Sequence, residues 1–259
     1  MSRKIVFTSG KGGVGKTTIT ASLGLILAKS GYRVLLVDGD LGLNNLDVVA
    51  GVENLIVFDL VDLLNGSCRI NQALVESPLS NNLFVLPCTH SLSNASVSNQ
   101  KLKEAIDGVD GLFDFIFIDC PAGIDISFHR AVSMADEGII IVNPSISSVR
   151  DADKVIGILK SYKLNNIALI VNRIRGDLVL SNEMYSASEI ASTLKIPLIG
   201  VIPEDDVMLG GLTDTPSESK KAIKIIAKNL NSKNLKTYDY LKKYTGFWGS
   251  IRKGLKKVL

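Results

Sequence analysis

Residues 10–18 have the types and the spacing that bind phosphate. Their pattern is Gly-x-x-x-x-Gly-Lys-[Ser/Thr], the P-loop pattern, and glycines at these positions let backbone N–H groups turn towards an anion. The seventh residue of the stretch would contact β- and γ-phosphates, and the eighth would bind Mg²⁺ through its hydroxyl. The stretch predicts a nucleoside triphosphate site and reads Gly10-Lys11-Gly12-Gly13-Val14-Gly15-Lys16-Thr17-Thr18.

The flanking sequence predicts a strand before this loop and a helix after it. Ile5-Val6-Phe7 is an apolar run, and residues 19–28 carry apolar side chains at helical spacing up to a stop at Ser30-Gly31. A helix N-terminus directly after the loop adds unpaired N–H groups and the positive end of the helix dipole. This context favours a working phosphate loop over a glycine-rich turn with a surface lysine.

Two further apolar runs end in carboxylates. Residues 33–37 lead into Asp38-Gly39-Asp40, and residues 115–118 lead into Asp119. Ligands bind beyond the carboxyl ends of parallel strands, so Asp119 has the position of a Walker B aspartate that holds the Mg²⁺ shell through water. A turn cap is the plainer interpretation of Asp119, and ordering of a turn is that of Asp38 and Asp40.

Strand-like and helix-like runs alternate along the rest of the chain. This alternation predicts an α/β fold with a mostly parallel, doubly wound sheet and helices on both faces. We predict one P-loop domain over residues 1–235, and a linker with a short C-terminal amphipathic helix over residues 236–259. Strands are predicted at 33–37, 83–86, 113–118, 138–142, 167–171 and 198–202, and helices at 151–162 and 183–194.

Composition limits the class of protein. A length of 259 residues fits one large α/β domain or two small ones, and 46% hydrophobic with 21% charged residues is ordinary for a soluble protein. No apolar run approaches the length of a membrane span, the first residues predict no signal peptide, and we expect a cytoplasmic protein. The cysteines (Cys68, Cys88 and Cys120) lack C-x-x-C spacing, which favours neither a disulfide framework nor an iron–sulfur ligand set.

The last fourteen residues combine an apolar stripe with basic side chains. Six basic and no acidic residues follow Leu241, so in a chain of net charge +3 the rest has a formal charge of −3. This pattern is typical of a helix that lies in the interface of an anionic membrane, although a terminal helix packed on the protein's own core remains open. The apolar residues are Phe247, Trp248, Ile251, Leu255, Val258 and Leu259, and the basic ones are Arg252, Lys253, Lys256 and Lys257.

Lys11 connects these features to a known family. A generic phosphate loop needs no charge directly after its first glycine, and a solvated lysine is the plain interpretation. Gly-Lys-Gly-Gly-Val-Gly-Lys-Thr-Thr nevertheless resembles the deviant Walker A motif of the ParA/MinD superfamily. The resemblance implies ATP and Mg²⁺ as cofactors, ATP hydrolysis, and an ATP-bound homodimer whose interface Lys11 crosses. Lys11 and Lys16 would then be catalytic, together with Asp40 as the residue that positions the attacking water.

The same resemblance gives roles to other residues. Asp38 would support Asp40 within a switch I segment, where Asn44 and Asn45 would respond to the dimer state. The segment Asp119-Cys120-Pro121-Ala122-Gly123 resembles switch II. Asn172 would pair with the adenine edge and Pro203 would pack around the base. ATP is favoured over GTP because guanine-specific P-loop proteins usually carry an Asn-Lys-x-Asp signature, whereas here Asn172 is followed by Arg173-Ile174-Arg175.

The basic amphipathic end of the chain makes the resemblance more specific, because it resembles the MinD family of membrane-bound division-site ATPases. This implies peripheral attachment to the inner face of the cell membrane, release on hydrolysis, and a MinC-like inhibitor with a MinE-like activator or a polar scaffold. In residues 147–153 the family's partner-binding helix is matched by Arg150, Asp151 and Asp153. The plain interpretation is a helix start capped by Ser148.

Two other classes stay open as alternatives. An FlhG-like flagellar-placement ATPase also has an amphipathic tail, but usually carries an activating extension before its first strand. A ParA-like DNA-segregation ATPase needs a basic face on the folded body. Because the body here is acidic by count, we expect no nucleic-acid partner.

Overall fold

The computed structural model describes residues 1–40, 45–88, 98–205, 216–232 and 234–245. The strands in these ranges are β1 (Arg3–Thr8), β2 (Val34–Asp38), β3 (Val75–Glu76), β4 (Leu83–Leu86), β5 (Phe115–Asp119), β6 (Glu137–Val142), β7 (Asn166–Ile174) and β8 (Leu198–Pro203). The helices are α1 (Lys16–Lys29), α2 (Leu46–Ala50), α3 (Leu60–Leu64), α4 (Ile70–Ala73), α5 (Asn99–Asp107), α6 (Ile126–Ser133), α7 (Ile146–Ser161), α8 (Gly176–Leu180), α9 (Ala187–Leu194) and α10 (Glu218–Asn229), with a 3₁₀ helix at Lys242–Tyr244.

One eight-stranded sheet in the order β3-β4-β2-β5-β1-β6-β7-β8 forms the centre of the molecule. Its strands run parallel, apart from the antiparallel pair of β3 and β4. Apolar clusters cover both faces, and along central β1 the buried side chains alternate between them: Val6 joins one cluster, Ile5 and Phe7 the other. The predicted α/β class with helices on both faces is confirmed.

Two predicted helix starts were wrong, because serine caps decide where the helices begin. Helix α7 begins at Ile146, since the Ser145 hydroxyl accepts the N–H of Ser148. The predicted cap, Ser148, accepts the N–H of Asn143 instead. The helix predicted from residue 183 begins at Ala187, after a capping box in which Ser186 and Glu189 bond each other's backbone N–H.

The chain after α10 lies on the domain. The side chain of Asn229 donates to the carbonyls of Ile199 and Lys236, and it accepts the N–H of Lys236 at 3.1 Å. Further on, the ring of Tyr244 lies against Gly176, where a Cβ would be 2.8 Å from its Cδ2. The domain boundary at residue 235 stays a prediction, and the amphipathic tail at 246–259 lies outside the described residues.

A substitution at Gly200 in β8 would test how closely α10 packs on the sheet. A Cβ at this position would overlap the side chain of buried Ile226, so we expect Gly200→Ala to lower the free energy of unfolding by about 1–3 kcal/mol. Gly157→Ala is the matched control, because Gly157 is exposed in α7 and open space surrounds its Cβ position. Alanine should stabilise the helix there by about 0.5–1 kcal/mol. Urea unfolding measures both, and equal effects would contradict this packing.

Candidate functional site

The phosphate-binding pattern lies between β1 and α1, as the sequence predicts. Thr8 ends the strand and Lys16 begins the helix. Within the loop, Gly13 has φ +74° and Gly15 has φ +92°, conformations that only glycine adopts without strain. The Ser9 hydroxyl donates to the carbonyl of Lys11 at 2.9 Å. The backbone therefore has the turn that an anion site at a helix N-terminus needs.

A side chain from β7 holds this loop in place. Asn172 is buried, and its Nδ2 donates to the carbonyl of Val14 at 2.8 Å. A Cβ on Gly15 would lie 2.7 Å from the same nitrogen, so the close approach needs glycine. Sequence reasoning missed this contact, and the adenine role of Asn172 stays a prediction.

Helix α7 packs against the first glycine of the loop. A Cβ on Gly10 would overlap the backbone of Asp151, so loop and helix touch without an intervening side chain. The Asp151 carboxylate forms an ion pair of 3.5 Å with Lys154, and the neighbouring Arg150 and Asp153 are exposed. Of the three predicted partner-binding residues, Asp151 therefore lies against the phosphate loop, and the other two are exposed on the same helix.

Asp119 joins the two functional side chains at the start of α1. It ends β5 and is 3% exposed. One of its carboxylate oxygens lies 2.9 Å from Nζ of Lys16, and the other accepts the hydroxyl of Thr17 at 2.6 Å. A buried carboxylate is stable here because a cation and a hydroxyl both satisfy it. The structure thus brings Asp119 to two consecutive residues that lie about a hundred positions earlier in the sequence.

Asp38 lies at the end of β2, directly across from Asp119 in the parallel register. It is 2% exposed, and desolvation together with the charge of Asp119 raises its pKa well above the usual range. One of its oxygens accepts the N–H of Asp40 at 3.0 Å. Asp38 therefore orders the turn that carries the half-buried Asp40 two residues beyond the end of β2.

The residue after Asp119 is not an activated nucleophile. Cys120 is fully buried, and its N–H donates to the carbonyl of Phe7 at 3.0 Å. Burial raises the pKa of its thiol to about 12, so the thiol is protonated at neutral pH and poorly reactive.

Thr17 and Asp119 fit the oxygen preference of Mg²⁺. Their oxygens lie 2.6 Å apart, beside Nζ of Lys16. Mg²⁺ takes about six oxygen ligands and keeps waters and substrate phosphates among them. Two neighbouring protein oxygens suit a metal that completes its shell with nucleotide.

The remaining predicted site residues lie around this centre or outside the described ranges. Lys11 is exposed at the rim, and Asn45 is exposed at the N-cap position of α2. Pro203 ends β8 opposite Ile174 of β7. Asn44 and every predicted membrane-contacting residue lie outside the described residues. In the described ranges, no helix combines the length and apolar character needed to cross a bilayer.

The raised pKa of Asp38 predicts a pH dependence of stability. A carboxyl whose pKa is higher in the folded state contributes stability at pH values below its unfolded pKa, and this is lost as the pH rises through the folded value. We expect Asp38→Asn to raise the free energy of unfolding at pH 7, because a neutral amide avoids the cost of a buried charge and its oxygen still accepts the N–H of Asp40. The effect should be smaller at pH 4, where less of the carboxyl's stabilising contribution has been lost. Urea unfolding between pH 4 and 8 measures this, with exposed Asp153→Asn as the control. A gain that does not grow with pH would contradict the assignment.

The chain is similar to several known proteins. Residues 2–171 match the family described as "AAA domain". The septum site-determining protein MinD of Synechocystis is 39% identical over 263 residues, which cover 98% of this chain and 99% of that protein. Among solved structures, the MinC:MinD cell division protein complex of Aquifex aeolicus superimposes with a TM-score of 0.83 at 41% identity, covering 92% of this chain and 99% of the other. The septum site-determining protein MinD of Pyrococcus horikoshii, complexed with Mg-ADP, superimposes with a TM-score of 0.79 at 34% identity. The match covers 89% of this chain and 96% of the other.

Proposed function

The chain belongs to the MinD family of septum site-determining proteins, and from this premise we propose that it is a Mg²⁺-dependent ATPase. In this proposal it dimerises with ATP, binds the inner membrane surface through its C-terminal helix, and is released on hydrolysis to ADP and phosphate. Its cellular role is to help place the division septum.

The observation that carries the ATPase proposal is the cluster of Lys16, Thr17 and Asp119. Lys16 donates to Asp119 at 2.9 Å and lies at the N-terminus of α1, where the positive end of the helix dipole also favours a phosphate. A bound phosphate would compete with the Asp119 carboxylate for the Lys16 ammonium. Lys16 would then bind β- and γ-phosphates, while Thr17 and Asp119 hold Mg²⁺. The metal would neutralise the charge that develops during phosphoryl transfer.

Asp40 has the position for orienting the attacking water. It is half-buried at the mouth of the site, and its backbone is fixed by the buried Asp38 carboxyl. Burial raises the pKa of Asp38, which disfavours its charged form. A negative charge beside the attacking water is therefore better provided by Asp40, which is less buried. We assign water positioning to Asp40 and support of its turn to Asp38.

Lys11 has the exposure that a contact with a second copy requires. It lies at the rim of the loop together with exposed Gly12 and Gly13. A lysine at this rim can reach the triphosphate of a facing subunit. ATP would then bridge two copies, which makes the dimer depend on nucleotide.

Membrane attachment follows from charge and avidity. Each basic residue near an anionic leaflet contributes about 1 kcal/mol, so one tail with Arg252, Lys253, Lys256 and Lys257 binds reversibly. Two tails in one dimer raise the avidity by roughly 10²–10⁴. Residence on the membrane would therefore follow the nucleotide state.

A MinC-like protein is the partner that the relatives support. The Aquifex relative was solved as a MinC:MinD complex. On this chain, Arg150 and Asp153 are exposed on α7, and Asp151 of the same helix touches the phosphate loop. We propose that this helix binds the inhibitor and an activating partner, which is MinE-like or a polar scaffold.

Loss of the Lys16 ammonium should remove ATP hydrolysis. We expect Lys16→Gln to reduce kcat on the order of 10²–10³-fold, the usual loss when a charge-stabilising donor is removed. Lys221→Gln is the control, because its side chain is 64% exposed on α10. Phosphate release assays measure both variants. Wild-type turnover by Lys16→Gln would contradict the assigned site.

Anionic vesicles test the membrane role. We expect the full chain to co-sediment with ATP but not with ADP, and a chain ending at Thr245 to stay in solution. Replacing Lys253 and Lys256 by glutamine should weaken vesicle binding by about tenfold or more, whereas the same change at exposed Lys221 and Lys224 should not. Retention on duplex DNA with ATP, without vesicle binding, would contradict the proposal and favour a DNA-segregation ATPase.

A further inference from the structure

A buried amide oxygen lies directly beyond the end of β6. Asn143 is the first residue after this strand, and its Oδ1 is shielded from solvent without a hydrogen-bond donor among the described residues. A buried acceptor without a donor lowers stability, and most such groups in folded proteins have a partner. The position of Asn143 therefore directs attention to the segments around it that could supply a donor.

The order of the strands identifies the phosphate loop as the nearest such segment. The loop leaves the end of β1, and at Val14 its carbonyl is held by Asn172 of β7. Since β6 lies between β1 and β7, the loop crosses the end of β6, where Asn143 lies. Val142 pairs with Val171, so Asn143 and Asn172 occupy adjacent positions at this edge of the sheet.

Helix α7 brings the start of the loop to the same place. Gly10 lies so close to Asp151 of this helix that a Cβ would overlap its backbone. Asn143 is bonded to the beginning of the same helix: its N–H donates to the Ser148 hydroxyl at 3.1 Å, and its carbonyl accepts the N–H of Ser145 at 2.7 Å. The backbone of Asn143 is thus fixed, and its amide group has a defined position relative to the loop.

The loop has N–H groups that can serve as donors. In the part of the chain that the structure describes, no N–H of residues 10–13 donates to a backbone carbonyl. Loops of this kind turn several N–H groups towards phosphate. One of the four can turn towards Asn143 while the others face the anion.

We propose that Asn143 is a positioning residue of the nucleotide site. With nucleotide bound, its Oδ1 accepts a backbone N–H of residues 10–13 and holds the loop over the end of β6. Closure of the loop around phosphate then removes the cost of the unpaired oxygen, which adds to the affinity for nucleotide. The inference rests on the proposed ATP site, and it adds a residue that acts through the loop rather than by touching the nucleotide.

Asn143→Leu tests this role, because leucine has a similar shape and no acceptor. Without nucleotide, we expect the free energy of unfolding in urea to be unchanged or higher, since the unpaired oxygen is gone. The Kd for Mg-ADP, measured by titration calorimetry, should rise about tenfold. A residue with a merely structural role would lose stability and affinity together.

Two further asparagines serve as references. Asn165→Leu is the matched control, because Asn165 is exposed before β7, at the opposite edge of the sheet, and both values should stay unchanged. Asn172→Leu removes a hydrogen bond to the loop that is already formed, so it should lower both the stability without nucleotide and the affinity for Mg-ADP.

Amide hydrogen exchange tests the identity of the donor. At saturating Mg-ADP, the N–H groups of residues 10–13 should exchange several-fold faster in Asn143→Leu than in the wild type. The N–H groups of α10, on a distant strand's helix, should exchange equally in both proteins and serve as the internal reference.

Three results would overturn the proposal. One is equal affinity of the wild type and Asn143→Leu for Mg-ADP, as expected if a buried water alone satisfies the oxygen. Another is a loss of stability without nucleotide, as for Asn172→Leu. The third is equal exchange of residues 10–13. A wild-type protein that binds no Mg-ADP would contradict the proposed ATP site itself and the inference with it, so the two failures are distinguishable.

Discussion

The site depends on one buried carboxylate and on what satisfies it. Asp119 is 3% exposed at the end of β5, and a charge in such a place is stable only when it is paired. Lys16 and Thr17 provide this pairing from the first turn of α1. The pairing in turn requires α1 to begin directly beyond β1, which runs beside β5 in the parallel sheet. The loop and the helix start thus place the two side chains that this buried carboxylate requires.

That requirement also explains how the neighbouring groups respond to a ligand. Asp38 and Asp119 lie opposite each other at adjacent strand ends, and burial together with the charge of Asp119 raises the pKa of Asp38. If a phosphate draws Lys16 away, Asp119 loses its cation in a poorly solvated place. A divalent metal bound beside Thr17 restores the balance. Nucleotide and metal are therefore expected to bind together, since each compensates the charge that the other leaves unpaired.

Local patterns in the sequence predicted the loop, the aspartates at the strand ends and the α/β class, because each depends on a few consecutive residues. Contacts between distant segments were not accessible in this way. Asn172 reaches the carbonyl of Val14 only because β7 lies two strands from β1. The contact between Gly10 and Asp151 depends in the same way on where α7 packs. The cap of α7 was misassigned because Ser145 and Ser148 both suit a cap, and the backbone beyond β6 decides between them.

A reversible membrane switch needs opposing terms of similar size. If the tail binds an anionic surface as proposed, its four basic residues would contribute about 4 kcal/mol of attraction, before the cost of ordering a short helix is subtracted. In the proposed ATP-bound dimer, two tails would raise the avidity by roughly 10²–10⁴. The weakness of a single tail would therefore be what lets nucleotide decide how long the protein stays on the membrane.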